Sequence, residues 1–175
     1  MVIGLTHYNN EIPAAPGSLA AVTNVTRFGE RTARGAASFR CAACGEVAGV
    51  VKVARAGTPV DLGPPLGRET STRDGLVVDY FLGTAWLAAD AEVLDAVRVI
   101  IEDGKADPVS LRRLNWELAP FYCPDCELNY CRADWSTRVV TEDSFYDRTM
   151  GTCPHGHEHM VDDLPGGGSR PRGER

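Results

Sequence analysis

Long apolar runs are missing from this sequence. Nowhere in its 175 residues does a stretch approach the roughly 18 apolar positions that a membrane span needs. The first residues also lack the basic segment and apolar stretch of a secretory signal, so the expected location is cytoplasmic. Thiols stay reduced there, which points the cysteines toward metal or redox chemistry and away from structural disulfides. Aromatic residues make up only 7% of the chain. A core of that composition gains from metal crosslinks. Positive charge is scarce where it would matter for a phosphate backbone: residues 41–165 hold 11 Lys and Arg against 21 Asp and Glu, a net of −10, while each flank nets +2. Such a domain repels nucleic acid at long range, so a protein partner is the better expectation. No glycine-rich phosphate loop and no nucleophile motif is present.

What the sequence does have is six cysteines and four histidines, most of them in short clusters. The first is Cys41-Ala42-Ala43-Cys44-Gly45. The second reads Cys123-Pro124-Asp125-Cys126, followed by Cys131-Arg132-Ala133-Asp134-Trp135 and by Cys153-Pro154-His155-Gly156-His157-Glu158-His159. A Cys-x-x-Cys turn delivers two soft thiolates at the bite of a tetrahedral zinc ion, and two such turns supply a closed four-thiolate site. That makes Cys41, Cys44, Cys123 and Cys126 one expected centre. Cys131, Cys153 and His157 supply three ligands for another, its fourth being Asp134, His155, His159 or water. His7 has no neighbour to pair with.

The expected fold class is α+β: a small antiparallel sheet with a helical hairpin and zinc-knuckle or treble-clef-like elements. Residues 1–38 read as a flexible or irregular extension, with a short strand near 19–25 as the one alternative. Residues 39–163 read as the zinc-binding domain and 164–175, rich in Gly, Pro and Arg, as a disordered tail. Within the domain, Val47 to Ala54 is rich in β-branched residues and predicts a strand. Residues 57–67 are interrupted by Gly and Pro and predict a loop. Leu76 to Leu87 is apolar on both parities, as in one buried strand; Asp79 is its single acid, expected to be a satisfied strand polar group. Asp90 caps a helix carrying Val93, Leu94, Val97, Ile100 and Ile101 on one face, with Gly104 as its stop. Asp107-Pro108 starts a second helix with Leu111, Leu114 and Leu118. Strands at 135–141 and 144–150 would turn at Glu142-Asp143.

The spacing Cys123-x2-Cys126-x4-Cys131-x2-Asp134, with Tyr130 before Cys131 and Trp135 after Asp134, resembles the middle of the in-between-RING zinc domains of ubiquitin ligases. The resemblance implies sequential pairing: Cys41, Cys44, Cys123 and Cys126 on one ion, and Cys131, Asp134, Cys153 and His157 on the other. Asp134 stands where that family has Cys or His. A second likeness, to zinc ribbons, would instead unite Cys123, Cys126, Cys153 and His157 and leave Cys41, Cys44 and Cys131 for a poorer site; the sequential pairing is the one expected here. Function follows as two structural zinc ions in a protein-interaction module. The alternatives are a hydrolase-like enzyme at an open second zinc, and a ubiquitin-ligase-like or reactive-thiol protein acting through Cys131.

Overall fold

The computed structural model describes residues 27–63, 67–104 and 106–163. The strand weighed at 19–25, His7 and the tail over 164–175 lie outside these residues. The architecture is mixed, mostly antiparallel sheet with two short helices, and so of the expected α+β kind. No helix among the described residues is long and apolar enough to cross a membrane.

Five strands form the main sheet: β1 (Glu30–Ala33), β2 (Ala36–Arg40), β3 (Val47–Ala54), β6 (Gly75–Tyr80) and β7 (Gly83–Ala88), in that spatial order and all antiparallel. The irregular extension expected over 1–38 is thereby corrected for its last residues, since β1 and most of β2 belong to this sheet. Small residues such as Ala36 and Ala37 disguise β2, whose alternation appears only in its burial: Ala37 and Phe39 point inward. β3 falls where its β-branched run predicts.

Two further corrections come from turns. The expected loop contains a two-stranded hairpin, β4 (Pro59–Asp61) with β5 (Arg68–Thr70); the Gly and Pro breakers sit around strands only three residues long. The expected single strand over 76–87 is a hairpin, β6 turning into β7 at Phe81 and Leu82. Both parities of β6 are apolar because both faces of the sheet are covered. Leu76 and Val78 enter the main core, and Val77 joins Ala54 and Val60 in a smaller cluster beneath β4. Asp79 accepts a hydrogen bond from Thr84 Oγ1 at 3.3 Å, as expected of a satisfied polar group.

The helices start where their caps predict. Asp90 accepts from the Val93 N–H at 2.9 Å to open α1 (Ala91–Glu102), and Asp107 accepts from the Ser110 N–H at 3.1 Å to open α2 (Pro108–Leu114). Each such cap is worth about 1 kcal/mol. Leu94, Val97 and Ile101 bury one face of α1. The second helix ends earlier than its leucine spacing suggests. Asn115 takes an extended backbone and caps a separate 3-10 turn, Trp116–Leu118, through a 3.0 Å bond to Glu117 N–H; Leu118 is buried from that turn and Leu114 is left about a third exposed, at 37%.

The remaining described residues, from Tyr122 on, form a ribbon: β8 (Tyr122–Cys123) pairs with β9 (Leu128–Asn129), and β10 (Ser136–Glu142), β11 (Phe145–Thr152) and β12 (Glu158–Asp163) form a three-stranded sheet. The β10–β11 turn sits one residue beyond the predicted place, at Asp143 and Ser144, both in the left-handed region with φ of 49° and 69°. Aromatic packing joins the ribbon to the main sheet. Phe39 and Phe121 lie 4.8 Å apart between ring centroids, and Phe121 rests on Gly49, where an added Cβ would fall 2.1 Å from the ring. Any side chain at 49 would push the two units apart. Trp135 stacks on Phe81 at 5.6 Å and donates from its indole N–H to the Tyr130 carbonyl at 3.1 Å.

Candidate metal centres

Two knuckles and a ribbon end converge on the first cluster. Cys123 ends β8, Cys126 closes the following turn, and Cys153 and His157 flank the β11–β12 connection. That connection is a tight knuckle: the Cys153 N–H donates to the His157 carbonyl at 3.0 Å, and the Gly156 N–H to the Cys153 carbonyl at 2.9 Å. His157 presents Nδ1, which lies 3.2, 3.5 and 3.7 Å from the sulfurs of Cys126, Cys153 and Cys123. Cys126 and Cys153 are 3.6 Å apart, sulfur to sulfur. A tetrahedral zinc with sulfur at about 2.3 Å and nitrogen at about 2.0 Å sets these separations near about 3.8 Å and about 3.5 Å. The donors stand close to the spacing such an ion requires.

Cys41, Cys44, Cys131 and Asp134 form the second cluster. The early knuckle is folded by the Gly45 N–H donating to the Cys41 carbonyl at 2.9 Å. It is held against the ribbon by the Ala42 N–H, which donates to the Asn129 carbonyl at 2.8 Å. Cys131 and Asp134 belong to another turn, closed by the Asp134 N–H on the Cys131 carbonyl at 3.0 Å. The sulfurs of Cys44 and Cys131 are 3.5 Å apart, and Asp134 Oδ2 lies 2.9, 3.2 and 3.7 Å from Cys41, Cys131 and Cys44. All four donors again surround one point.

The pairing differs from the one expected. Cys41 and Cys44 meet Cys131 and Asp134, not Cys123 and Cys126; Cys153 and His157 meet Cys123 and Cys126, not Cys131. The ribbon decides it. Antiparallel pairing of β10 with β11 sets Ser136 opposite Thr152 and brings the Cys153 knuckle back to the β8–β9 hairpin, where the Cys123 turn already waits. The Ala42–Asn129 bond then puts the early knuckle at the adjoining turn. Of the candidates for a fourth ligand, Asp134 joins a cluster and His155 joins neither; His155 stands against the Tyr130 ring at 6.3 Å. Cys131 is not left over as a lone thiol.

His159 has a different place. Its Nε2 lies 3.4 Å from Cys123 Sγ and 3.1 Å from Asp125 Oδ2, at the outer side of the first cluster. Burial lowers its pKa, against the pull of Asp125. The partly buried Arg112 guanidinium also interacts with Cys123. Of these groups the Arg112 guanidinium offsets thiolate charge, an arrangement expected around metal ligands. Ligand spacing had no means of finding Arg112, which comes from α2 and donates to the Ala119 carbonyl at 3.2 Å.

Without a metal, burial pushes the thiols up. Cys41 and Cys123 rise to about 12, Cys41 also because it donates to Asp134, and Cys126 and Cys131 rise too. Burial likewise pushes on Cys153, but the backbone N–H groups of His157 and His155 together with the thiols of Cys126 and Cys123 outweigh it and lower its pKa. A divalent ion bound at either cluster would therefore replace protons, and its uptake would release them.

Residues 30–163 match the model of a family described as a domain of unknown function, DUF8328. The chain belongs to that family. All eight donors, Cys41 through His157, fall inside the DUF8328 span, so both clusters belong to one domain. No curated protein and no solved structure matches the chain.

Proposed function

We propose that this DUF8328 domain is a two-zinc protein whose ions are structural and whose folded surface serves to bind another protein. The observation that carries the reading is the pair of four-donor sets, each with separations near those of a tetrahedral ion. Thiolates with one imidazole, and thiolates with one carboxylate, suit zinc better than harder cations such as magnesium or calcium. Four protein donors at each point leave no position for water or substrate, which favours structural over hydrolytic ions. Cavities of about 560 and 320 Å³ elsewhere on the molecule are lined by none of the eight donors. The acidic charge between residues 41 and 165 favours a protein partner over nucleic acid.

Native mass spectrometry of the purified chain tests this directly. Two zinc ions per chain, falling to one on substitution of a cysteine in either cluster, is the expected result. A metal-free chain that keeps the same fold would remove the reading.

A further inference from the structure

Strand β7 is one edge of the main sheet; among the described residues it pairs with β6 alone. The cavity of about 560 Å³ is lined by Thr84, Ala85, Trp86 and Leu87 in unbroken succession. Side chains of a strand alternate between the two faces, so four consecutive residues share one cavity only where it runs along the strand's edge. Alternate residues of an antiparallel edge turn both N–H and C=O away from their partner strand. The groove thus offers backbone groups as well as side chains.

Its two banks come from different units. Val60, Leu62 and Glu69 of the β4–β5 hairpin region form one, and Glu117, Asp162 and Asp163 the other. Four carboxylates line the space against one cation, Arg73, while Trp86, Leu87 and Leu62 supply apolar surface. The volume lies within the roughly 300–1,000 Å³ of sites that enclose small groups. Asp162 is held in place, accepting from Tyr80 Oη at 3.2 Å and from the Tyr146 hydroxyl.

We infer that this groove receives an extended, lysine- or arginine-bearing segment of a partner protein, which adds to β7 as a sixth strand. Strand addition draws affinity from main-chain hydrogen bonds and selectivity from alternate side chains. Here the carboxylates select cations, Trp86 offers an aromatic ring for one of them, and acidic segments and phosphate backbones are repelled. The inference names the partner class for the binding surface proposed above and rests on that reading.

The test titrates the full zinc-loaded chain with acetyl-Lys-Val-Lys-Val-Lys-Val-Lys-amide in about 150 mM salt, where long-range attraction is screened beyond about 8 Å. Amide hydrogen exchange is read at residues 84–87. Expected are saturable binding with slowed exchange on β7, and binding about tenfold weaker for a peptide N-methylated at alternate residues, which loses its main-chain donors. A Glu-for-Lys peptide should not bind. Glu69→Lys, at an exposed position, should weaken binding about fivefold, the scale of a surface charge. No binding, equal binding of the N-methylated peptide, or protection that maps to β1 instead would each overturn the inference. Metal is counted on the same samples. Two zinc ions with no peptide bound defeats this inference alone, whereas a chain without zinc defeats the earlier reading whatever the peptide does.

Discussion

The two clusters are assembled from opposite kinds of contact. The first draws on the ribbon alone, with Cys126 and Cys153 separated by 27 positions, one in the turn of the β8–β9 hairpin and the other at the end of β11. The second spans up to 93 positions, from Cys41 to Asp134, and ties the main sheet to the ribbon. They also differ chemically, since imidazole completes one and a carboxylate the other. The difference teaches that an ion at the first cluster would organise a local unit while one at the second would fasten two units together, and that the fastener has the harder fourth ligand. Cys44, one of its thiolates, is exposed, whereas Cys123 and Cys153 are buried.

The strongest way to break this contrast is to remove a ligand from the ribbon. Cys153→Ser should lose one ion and the amide protection of β10 to β12. Its melting temperature should drop by about 10 °C, from several kcal/mol at about 2–4 °C each for a chain of this size. Hydrogen exchange with calorimetry checks it, and an intact ribbon would show that the local ion organises nothing. Cys44→Ser should also cost one ion but only about 5 °C, leaving ribbon amides protected while those of β1 and β2 exchange faster.

A smaller effect separates the fourth ligands. A chelator should empty the carboxylate centre first, exposing Cys44 and Cys131 to thiol labelling before Cys126 and Cys153. Replacing the hard oxygen in Asp134→Cys should slow that loss by about tenfold or more, because thiolate suits zinc better. Labelling kinetics followed by peptide mass spectrometry would reveal either order.

The smallest effect concerns the metal-free junction between the same two units. Burial, followed by its bond to Asp162, pushes the Tyr146 hydroxyl up to about 12, and burial pushes Tyr80 up as well. The folded state then keeps protons that an unfolded tyrosine gives up near its ordinary value of about 10. The associated stability is intact below about pH 10 and falls as pH rises toward 12. Tyr146→Phe should flatten part of that alkaline fall, read as melting temperature against pH.

Seven of the eight clustered residues were legible because a knuckle is a local object, with Cys-x-x-Cys and Cys-x-x-x-His fixing the bite whatever follows; the eighth, Asp134, was one of several candidates. Their partnering was not, because a bite carries no information about which other bite it meets. That depended on the register of β10 with β11 and on a single bond from Ala42 to Asn129. Helix starts were legible for the same local reason, through Asp90 and Asp107. The bend at Asn115 escaped because leucine spacing continues past it, and the β6–β7 hairpin escaped because burial on both faces erases alternation. β2 was hidden by its alanines. Where the chemistry lies within four residues the sequence spells it out; where it depends on a long return of the chain it does not.

One consequence of the second cluster reaches beyond the finished fold. Cys44 leaves the ribosome 87 residues ahead of Cys131, the sulfur it will face. Throughout that stretch of synthesis the early knuckle is only half a binding site, two thiolates at the end of a growing chain. An ion there could be sealed in only once Asp134 has emerged, so metallation of this centre would have to wait for the start of the second unit, with β10 to β12 still to come.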